Sequence, residues 1–317
     1  MRWRKDVLRY SLTNLAVIAL RPRRAASCAW LAAVALFAAH ASASINVTDD
    51  RGAALALEQP ATRLVTLSPH LTELVYAAGA GARLIAVPKY SDYPDAAKSL
   101  PQIGDATRVD LERVLALRPD LILAWKSGNS AADIARLESL GLRVYVSDAA
   151  RLADVARVVR TIGQLAGTAA AAERQAEGFE RRIAALRARY AGAQQLRVFY
   201  QIWDRPLLTV NGEHIISDVL AVCGGVNVFA HAALLTPSVS LEALLAARPD
   251  VVLGGSSALA PDEFAAQWAS YRVKDLTRLP VQYIPPDLIQ RPTPRIAQGA
   301  AVVCERLQDV RNSLRPH

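Results

Sequence analysis

Short apolar segments alternate with helix-like segments over most of the chain. The apolar segments form two groups, at residues 64–67, 84–87, 121–124 and 143–146, and then at 197–202, 251–253 and 281–284. Between most of them, apolar side chains recur at the spacing of a helix. Strands that alternate with helices predict parallel sheets covered by helices. The pattern therefore predicts an α/β fold with two Rossmann-like lobes, each built on one sheet.

The beginning of the first lobe carries two local signals. Residues 45–47 alternate in polarity, Asp50-Arg51-Gly52 is a turn sequence, and residues 54–57 return as a second strand, which together predict a hairpin. Ser68-Pro69 then follows the first buried strand. Serine is a favoured N-cap and proline a favoured first helical residue, so a helix is predicted to start there.

A single long helix is predicted between the two groups of strands, over residues 168–190. This segment is rich in Ala, Arg and Glu and contains no proline. Its apolar side chains step by three or four residues along one face, at Ala172, Ala176, Phe179, Ile183, Leu186 and Tyr190. A helix of this length spans about 35 Å. We therefore expect a rigid connection packed along this stripe, and not a flexible linker.

One sequence pattern occurs twice. Residues 111–124 read LERVLALRPDLILA and residues 241–254 read LEALLAARPDVVLG. Each copy predicts a short amphipathic helix that ends at a proline and is followed by a buried strand. Each copy also has an N-cap residue and an acid in the first helical turn, namely Asp110 with Glu112 and Ser240 with Glu242. One copy in each lobe implies pseudo-symmetric halves.

The first 43 residues have the pattern of a secretory signal peptide. Seven basic side chains and one acid lie in residues 1–24, residues 25–39 are uncharged and mostly apolar, and residues 41–43 read Ala-Ser-Ala. The apolar run reaches only about 22 Å, less than the ~30 Å hydrocarbon core of a bilayer. Cleavage is therefore favoured over an uncleaved membrane anchor. We expect a periplasmic protein whose mature chain begins near Ser44.

Removal of that segment changes what the charge and the cysteines indicate. The formal net charge is +8, but most of it lies in the first 24 residues, which argues against a nucleic-acid-binding protein. Cys28 lies in the signal segment, so the mature chain keeps Cys223 and Cys304. In an oxidising compartment two cysteines indicate a disulfide, with two buried free thiols as the alternative.

Unusual side chains follow the predicted strands at their carboxyl ends. They are Lys89 and Tyr90 after residues 84–87, Trp125 after 121–124, Trp203 after 197–202, and Asp287 with Arg291 after 281–284. Ligands of open parallel sheets bind beyond the carboxyl ends of the strands. Flat aromatic walls with one polar corner suit a broad, partly apolar small molecule. We therefore expect a ligand cleft between the lobes.

Catalytic and metal-binding motifs are missing from the sequence. It contains no G-x-S-x-G, Walker or H-E-x-x-H motif, and its cysteines are too far apart for a C-x-x-C pair. Ser68 and His70 lie together at a predicted helix start, where capping explains them. Gly224-Gly225 predicts a helix end and a turn. Three scattered histidines of the mature chain give little support for a zinc site, so we expect no enzyme, no metal and no catalytic cofactor.

Several longer motifs resemble those of a known family. They are RLVTLSPHLTEL (63–74), KYSDYP (89–94), LERVLALRPDLILAWKSGN (111–129), LAVCGGVNVF (220–229), VSLEALLAARPD (239–250) and DLIQRPTPRI (287–296). Over most of residues 60–310 the chain resembles the periplasmic cobalamin-binding protein of the ATP-driven cobalamin importer. That protein belongs to the class of solute-binding proteins with a helical backbone between two lobes.

The resemblance implies roles for individual residues. It places Tyr90, Trp125 and the segment Asp287–Arg291 at ligand-contacting positions, Cys223 and Cys304 at a disulfide, and Glu112 and Glu242 at carboxylates that dock onto permease arginines. Ala106, Thr236 and Leu288 stand where well-known members have tryptophans, so the aromatic cage is thinner, and Trp203 is a candidate to compensate. The predicted ligand contacts are Tyr90, Trp125, Trp203, Asp287, Leu288, Ile289, Gln290 and Arg291.

These observations give one principal hypothesis and two alternatives. We expect a signal peptide at residues 1–43, lobes at 44–166 and 193–317, and a linking helix at 167–192. The expected function is to bind cobalamin (vitamin B12) or a related corrinoid as a monomer and deliver it to an ABC-transporter permease dimer with its ATPase subunits. The alternatives are a siderophore- or haem-binding protein of the same class, or an extracytoplasmic enzyme on a two-lobed scaffold.

Overall fold

The computed structural model describes residues 44–256, 259–271 and 274–314. The predicted signal segment, with Cys28, lies outside the described residues. Within them, the chain opens with an antiparallel hairpin of β1 (Ile45–Thr48) and β2 (Ala54–Leu57), as the sequence predicted. No helix in the described part of the chain is both long and apolar enough to cross a membrane.

The first sheet contains four parallel strands. They are β3 (Leu64–Thr66), β4 (Leu84–Ala86), β5 (Leu121–Trp125) and β6 (Val144–Ser147), in the spatial order β4-β3-β5-β6. The helices of this lobe are α1 (Pro69–Ala77), α2 (Leu111–Ala116), α3 (Ala131–Ser139) and α4 (Leu152–Leu165). Nearly every strand residue is buried because helices cover the sheet, as expected for parallel strands.

The second sheet repeats this architecture. Its parallel strands are β7 (Leu196–Gln201), β8 (Gly225–Asn227), β9 (Val251–Gly254) and β10 (Val281–Tyr283), in the order β10-β9-β7-β8. The helices numbered after the linking helix α5 (Ala169–Tyr190) are α6 (Ile215–Val222), α7 (Leu241–Ala247), α8 (Pro261–Ala269), α9 (Lys274–Thr277), α10 (Pro286–Ile289) and α11 (Ile296–Ser313). The fold class predicted from the sequence is therefore confirmed.

Strand β8 was not predicted. Gly224 ends the preceding helix with φ +73°, as the Gly-Gly pair indicated, but Gly225 already belongs to the strand and not to a turn. With only three residues, one of them glycine, the strand carries too little β-propensity to be recognised locally. The segment is a strand because it pairs with β7, where Leu196 is the partner of Gly225 and Val198 is the partner of Asn227.

Helix α5 has the predicted stripe on its buried face. Ala172, Ala176, Phe179, Ile183 and Tyr190 are buried, and Leu186 is partly buried against the same core. One continuous apolar cluster contains this stripe together with side chains of both sheets. Because the core is continuous from one lobe to the other through the helix, the connection is packed and not a free tether.

The disulfide is present. Cys223, directly after α6, and Cys304, within α11, are bonded with a Cα–Cα distance of 4.7 Å. The bond joins two helices of the second lobe that pack against each other. The prediction of a bridge is therefore confirmed over its alternative of two free thiols.

The internal repeat forms the same substructure in each lobe. As predicted, the Asp110 carboxylate accepts a hydrogen bond from the Arg113 backbone N–H at 2.9 Å. The Ser240 hydroxyl accepts one from the Ala243 backbone N–H at 3.2 Å. Helices α2 and α7 therefore start with equivalent side-chain caps, which satisfy backbone donors that a helix start leaves unpaired.

Candidate functional site

Trp125 ends β5 and is fixed by the loop that follows it. Its backbone N–H donates to Asn129 Oδ1 at 2.7 Å, and its indole Nε1–H donates to Asp148 Oδ1 at 3.2 Å. The ring of His70 packs edge-on against the indole with the centroids 5.0 Å apart. Trp125 is held through both its backbone N–H and its indole N–H, and the residue stays partly accessible. Trp125 is thus a pre-positioned aromatic surface at a strand end.

Asn129 organises this end of the sheet. Its amide donates to the backbone carbonyls of Leu67, at 2.9 Å, and Ala106, at 2.7 Å. The same side chain accepts the Trp125 N–H, so one buried amide joins three segments of the first lobe. The sequence motif contained Asn129, but its role depends on contacts with residues far away in the chain.

His70 is a neutral, buried group next to the tryptophan. Its Nδ1 lies 2.8 Å from the Ser68 hydroxyl. Burial, and then the positive charge of Arg291, lower its pKa to about 3. Ser68 occupies the N-cap position and Pro69 begins α1, as predicted, but the Ser68 hydroxyl bonds to His70 and makes no side-chain cap.

Tyr90 is the most exposed of the predicted contacts. Its residue surface is 73% exposed, and its backbone has φ +67°. A tyrosine in this left-handed region is energetically unfavourable, and such residues persist only where the surrounding structure holds them. The Tyr90 carbonyl accepts a hydrogen bond from Arg291 Nη2 at 3.4 Å. An aromatic ring is therefore presented to solvent from a constrained backbone.

Trp203 follows the carboxyl end of β7 in the second lobe. It is 59% exposed, and its indole N–H donates to the Arg205 carbonyl at 3.1 Å. A small cavity of about 40 Å³ lies beside it and is also lined by Gln201, Asp204 and Gln290. The Gln290 side-chain amide is shielded from solvent and interacts with the buried Tyr200 hydroxyl.

The segment 287–291 is divided between the surface and the core. Asp287 is exposed and Leu288 is half-buried, but Ile289 is completely buried in the continuous core. Ile289 therefore has no surface to offer a ligand in this structure. The four-residue helix α10 turns its side chains in different directions, which the sequence motif did not reveal.

An ion cluster joins the two lobes at this place. Glu73, on α1, is reached by three donors of the second lobe, namely Arg291 at 2.9 Å, Thr293 at 3.1 Å and Arg295 at 3.3 Å. Arg291 also contacts Asp92 at 2.6 Å and Asp287 at 3.4 Å. The Glu73 side chain is 2% exposed. A buried carboxylate of the first lobe is thus paired with cations of the second.

The cluster fixes the charges of its members. Partial desolvation opposes ionisation of Asp92, but the hydrogen bond and charge of Arg291 prevail and lower the Asp92 pKa. Desolvation likewise opposes the charge of Arg291, whereas its bonds to Asp92 and Glu73 raise the Arg291 pKa. Arg291 was predicted as a polar contact for a ligand, and in this structure its guanidinium pairs with three carboxylates, those of Glu73, Asp92 and Asp287.

Three members of this cluster were not predicted from the sequence, namely Glu73, Asp92 and Arg295. Glu73 lies within the motif RLVTLSPHLTEL, on a helix whose other residues from 70 to 75 are all buried. An acid on the buried face of a helix needs a charged partner, and that was the available signal. The identity of the partner, 218 residues away, was not readable from the sequence.

Glu112 and Glu242 lie on the surface, one on α2 and one on α7. Both are exposed, and neither forms a salt bridge within the described residues. The Glu242 backbone N–H and the Ser240 hydroxyl lower the pKa of Glu242. Each lobe thus presents one available acid at an equivalent position.

A larger cavity lies away from the strand ends. It has a volume of about 450 Å³ and is lined by α1, α5 and the start of α11, including Glu73, Arg182 and Arg295. None of the predicted ligand contacts lines it. In the described part of the chain, no group of three or more His, Cys, Asp or Glu side chains could hold a metal ion.

Comparison with known proteins identifies the class. A family model described as "Periplasmic binding protein" matches residues 64–271. A vitamin B12-binding protein of Vibrio parahaemolyticus is 36% identical over 253 residues, which cover 80% of this chain and 92% of that protein. One from Vibrio cholerae is 35% identical over 254 residues, with the same coverage. The chain therefore belongs to the periplasmic binding protein family, in the group that contains these vitamin B12-binding proteins.

Solved structures agree with this assignment. The periplasmic vitamin B12-binding protein BtuF of Vibrio cholerae superimposes with a TM-score of 0.73 at 34% identity, covering 80% of this chain and 98% of that one. The periplasmic haem-binding protein BhuT, in complex with two haems, superimposes with a TM-score of 0.70 at 25% identity over 80% of this chain and 99% of that one.

Proposed function

We propose that this protein captures cobalamin or a related corrinoid at the strand ends between its lobes. The observation that carries the proposal is the set of three partly exposed aromatic side chains there, Tyr90, Trp125 and Trp203. Their planes offer large apolar contact areas with little loss of conformational entropy, which suits a broad macrocycle. The similarity to vitamin B12-binding proteins supports this choice of ligand.

The polar contacts come from α10 and the residues next to it. Asp287 is exposed, and the Gln290 side chain lines the small cavity beside Trp203. A corrin carries amide side chains, which both accept and donate hydrogen bonds, so these two groups would fix its orientation. Leu288 adds apolar contact. Arg291 contributes through the charge it places beside the ligand and by holding the lobes together.

The decisive experiment is retention of a coloured ligand. Purified protein is mixed with cyanocobalamin, desalted, and its visible spectrum recorded. We expect a corrin band in a 1:1 ratio to protein, and a weaker band in the Trp125→Ala variant. A spectrum without the corrin band at micromolar concentrations of both components would refute the assignment of the ligand.

Haem is the second candidate, because the exposed phenol of Tyr90 is a group that can ligate haem iron. The similarity to a haem-binding protein at 25% identity also favours testing it. Haemin is therefore offered in a parallel sample. A haem band that persists after desalting and disappears in Tyr90→Phe, with no retained corrin, would replace the principal proposal by this one.

The second part of the proposal concerns delivery. We infer that the protein acts in the periplasm as a monomer and carries its ligand to an ABC-type permease with two similar subunits. Glu112 and Glu242 would each bind an arginine of one subunit, since carboxylates and guanidinium groups pair in a bidentate way. Glu112→Gln combined with Glu242→Gln should leave corrinoid binding intact and weaken binding to the permease. Unchanged permease binding would leave these acids only a role at the helix start.

A further inference from the structure

In each copy of the internal repeat, the short helix is followed by an arginine in an unusual backbone conformation. Arg118, after α2, has φ +47°, and Arg248, after α7, has φ +44°. Tyr90 is the only other residue besides glycine with positive φ in the described part of the chain. Helices commonly end in this left-handed conformation, but glycine is the usual residue because a Cβ makes it unfavourable. Both copies keep arginine instead.

The backbone of each arginine is held by a second arginine. Arg63, directly before β3, donates to the carbonyls of Arg118 at 3.2 Å and Leu117 at 2.6 Å. Arg197, in β7, donates in the same way to the carbonyls of Arg248 at 2.9 Å and Ala247 at 2.6 Å. The two lobes thus stabilise the strained residue by identical means.

This arrangement removes the simplest explanation of Arg118 and Arg248. A cation after a helix is favoured by the helix dipole and by the unpaired carbonyls of the last turn. Arg63 and Arg197 already occupy that role. The side chains of Arg118 and Arg248 are exposed, and the described residues offer them no ion pair or hydrogen-bond acceptor. Their guanidinium groups are therefore accessible to a partner molecule.

We propose that Arg118 and Arg248 are a second matched pair of docking contacts, which bind carboxylates on the periplasmic surface of the permease. This inference rests on the proposed function. In each lobe the arginine follows the docking glutamate by six residues, which corresponds to about 9 Å along a helix. Each lobe therefore presents a glutamate followed by an arginine. A permease with two similar subunits would bind them with one cationic and one anionic side chain on each subunit.

A protein partner explains the pattern better than a lipid surface. Anionic lipid headgroups attract cations wherever they lie on a surface and require no equivalence between lobes. Here the two cations occupy equivalent positions of a repeat and keep the same strained conformation. The exposed glutamate six residues before each arginine also opposes attraction to an anionic membrane.

The test replaces both arginines by glycine, which is the residue that their backbone conformation favours. Binding of the corrinoid-loaded protein is measured to an ABC-type cobalamin permease with its ATPase subunits, reconstituted in phosphatidylcholine nanodiscs. We expect Arg118→Gly with Arg248→Gly to raise the Kd for the permease by about threefold to thirtyfold, the range of two ion pairs at the rim of an interface. The thermal unfolding midpoint should stay the same or rise, because glycine relieves the strain.

A matched control removes two positive charges from positions that are not equivalent in the two lobes. Arg174 and Arg187 lie exposed on α5 and have no partner among the described residues. Arg174→Gln with Arg187→Gln should bind the permease like the wild type. Equal losses in both double variants would reduce the effect to net charge and overturn the inference.

Two further measurements separate the possible failures. Vesicles of phosphatidylcholine with phosphatidylglycerol, without permease, are offered to the same proteins. Binding that depends on Arg118 and Arg248 there, and not in the nanodiscs, would assign the arginines to lipid. If Glu112→Gln with Glu242→Gln weakens docking while the glycine variant docks normally, only this inference fails. If the wild type does not bind the permease at all, the proposed delivery fails with it.

Discussion

Removing the charge of Glu73 should destabilise the protein more than any other single change in its ion pairs. Glu73→Gln keeps the size of the side chain, so no cavity is created, and it isolates the loss of the carboxylate charge. The group is 2% exposed and accepts from Arg291, Thr293 and Arg295 at 2.9, 3.1 and 3.3 Å. The substitution leaves two partly buried cations facing a neutral amide.

The size of the stability loss in Glu73→Gln follows from how deeply the carboxylate and its partners are buried. Removing one member of a buried ion pair costs about 3–5 kcal/mol. Arg291 is 17% exposed and keeps Asp92 and Asp287 as partners. The loss should therefore lie at or just below the lower end of that range, at about 2–3 kcal/mol. For a chain of this size, this corresponds to a decrease of about 4–6 °C in Tm.

Asp92→Asn provides the control, because Asp92 contacts the same guanidinium from the solvent side. Its side chain is 52% exposed, and exposed ion pairs contribute about 1 kcal/mol or less. Both variants are unfolded in urea at pH 7, followed by circular dichroism, and compared at equal ionic strength. If Glu73→Gln costs no more than Asp92→Asn, the buried cluster does not hold the lobes together and the reasoning from burial is refuted.

Three further predictions concern the ligand, the pH dependence and the disulfide. Trp125→Ala should raise the Kd for cyanocobalamin by about 5-fold to 150-fold, equivalent to about 1–3 kcal/mol; calorimetry that shows no change would place the ligand elsewhere. The folded-state pKa values of His70 and His214, about 3 and about 4, lie below the ordinary value of 6.5. The unfolded chain therefore binds more protons below pH 6.5, and stability should fall by up to about 1.4 kcal/mol per pH unit for each histidine as the pH decreases towards 4; a urea midpoint that is constant from pH 7 to pH 5 would contradict this. Replacing Cys223 and Cys304 by alanine should lower the free energy of unfolding by about 4 kcal/mol, because the bridge closes a loop with a sequence separation of 81. Thiol titration of the unreduced wild type should find neither cysteine free.

The sequence by itself determined the elements of the fold and their grouping. Strands buried on both faces appear as continuous apolar runs, and the α5 stripe from Ala172 to Tyr190 has the period of a helix, so each is readable within a short window. The repeat showed that the lobes are equivalent, and its N-caps, Asp110 and Ser240, were correctly identified. These features depend on local periodicity and capping, which neighbouring residues decide.

The candidate site was readable only in part. The aromatic residues could be placed because the carboxyl ends of parallel strands lie at the same edge of a sheet. Which of the neighbouring side chains remain accessible could not be read, since helix α10 directs Ile289 into the core and leaves Asp287 exposed. The left-handed backbone of Tyr90 was equally invisible, because nothing in its residue type indicates it.

Tertiary structure alone decided how the charges are paired. Glu73 and Arg291 are 218 residues apart, and each has other acids or bases closer in sequence. The Ser68 hydroxyl bonds to the His70 imidazole and not to a backbone N–H of α1, because burial of the ring leaves Nδ1 in need of a partner. A buried polar group must find its hydrogen bond wherever the packed chain brings a complementary atom. That requirement acts across the whole fold, so a sequence shows which groups need partners and only the packing shows which partners they find.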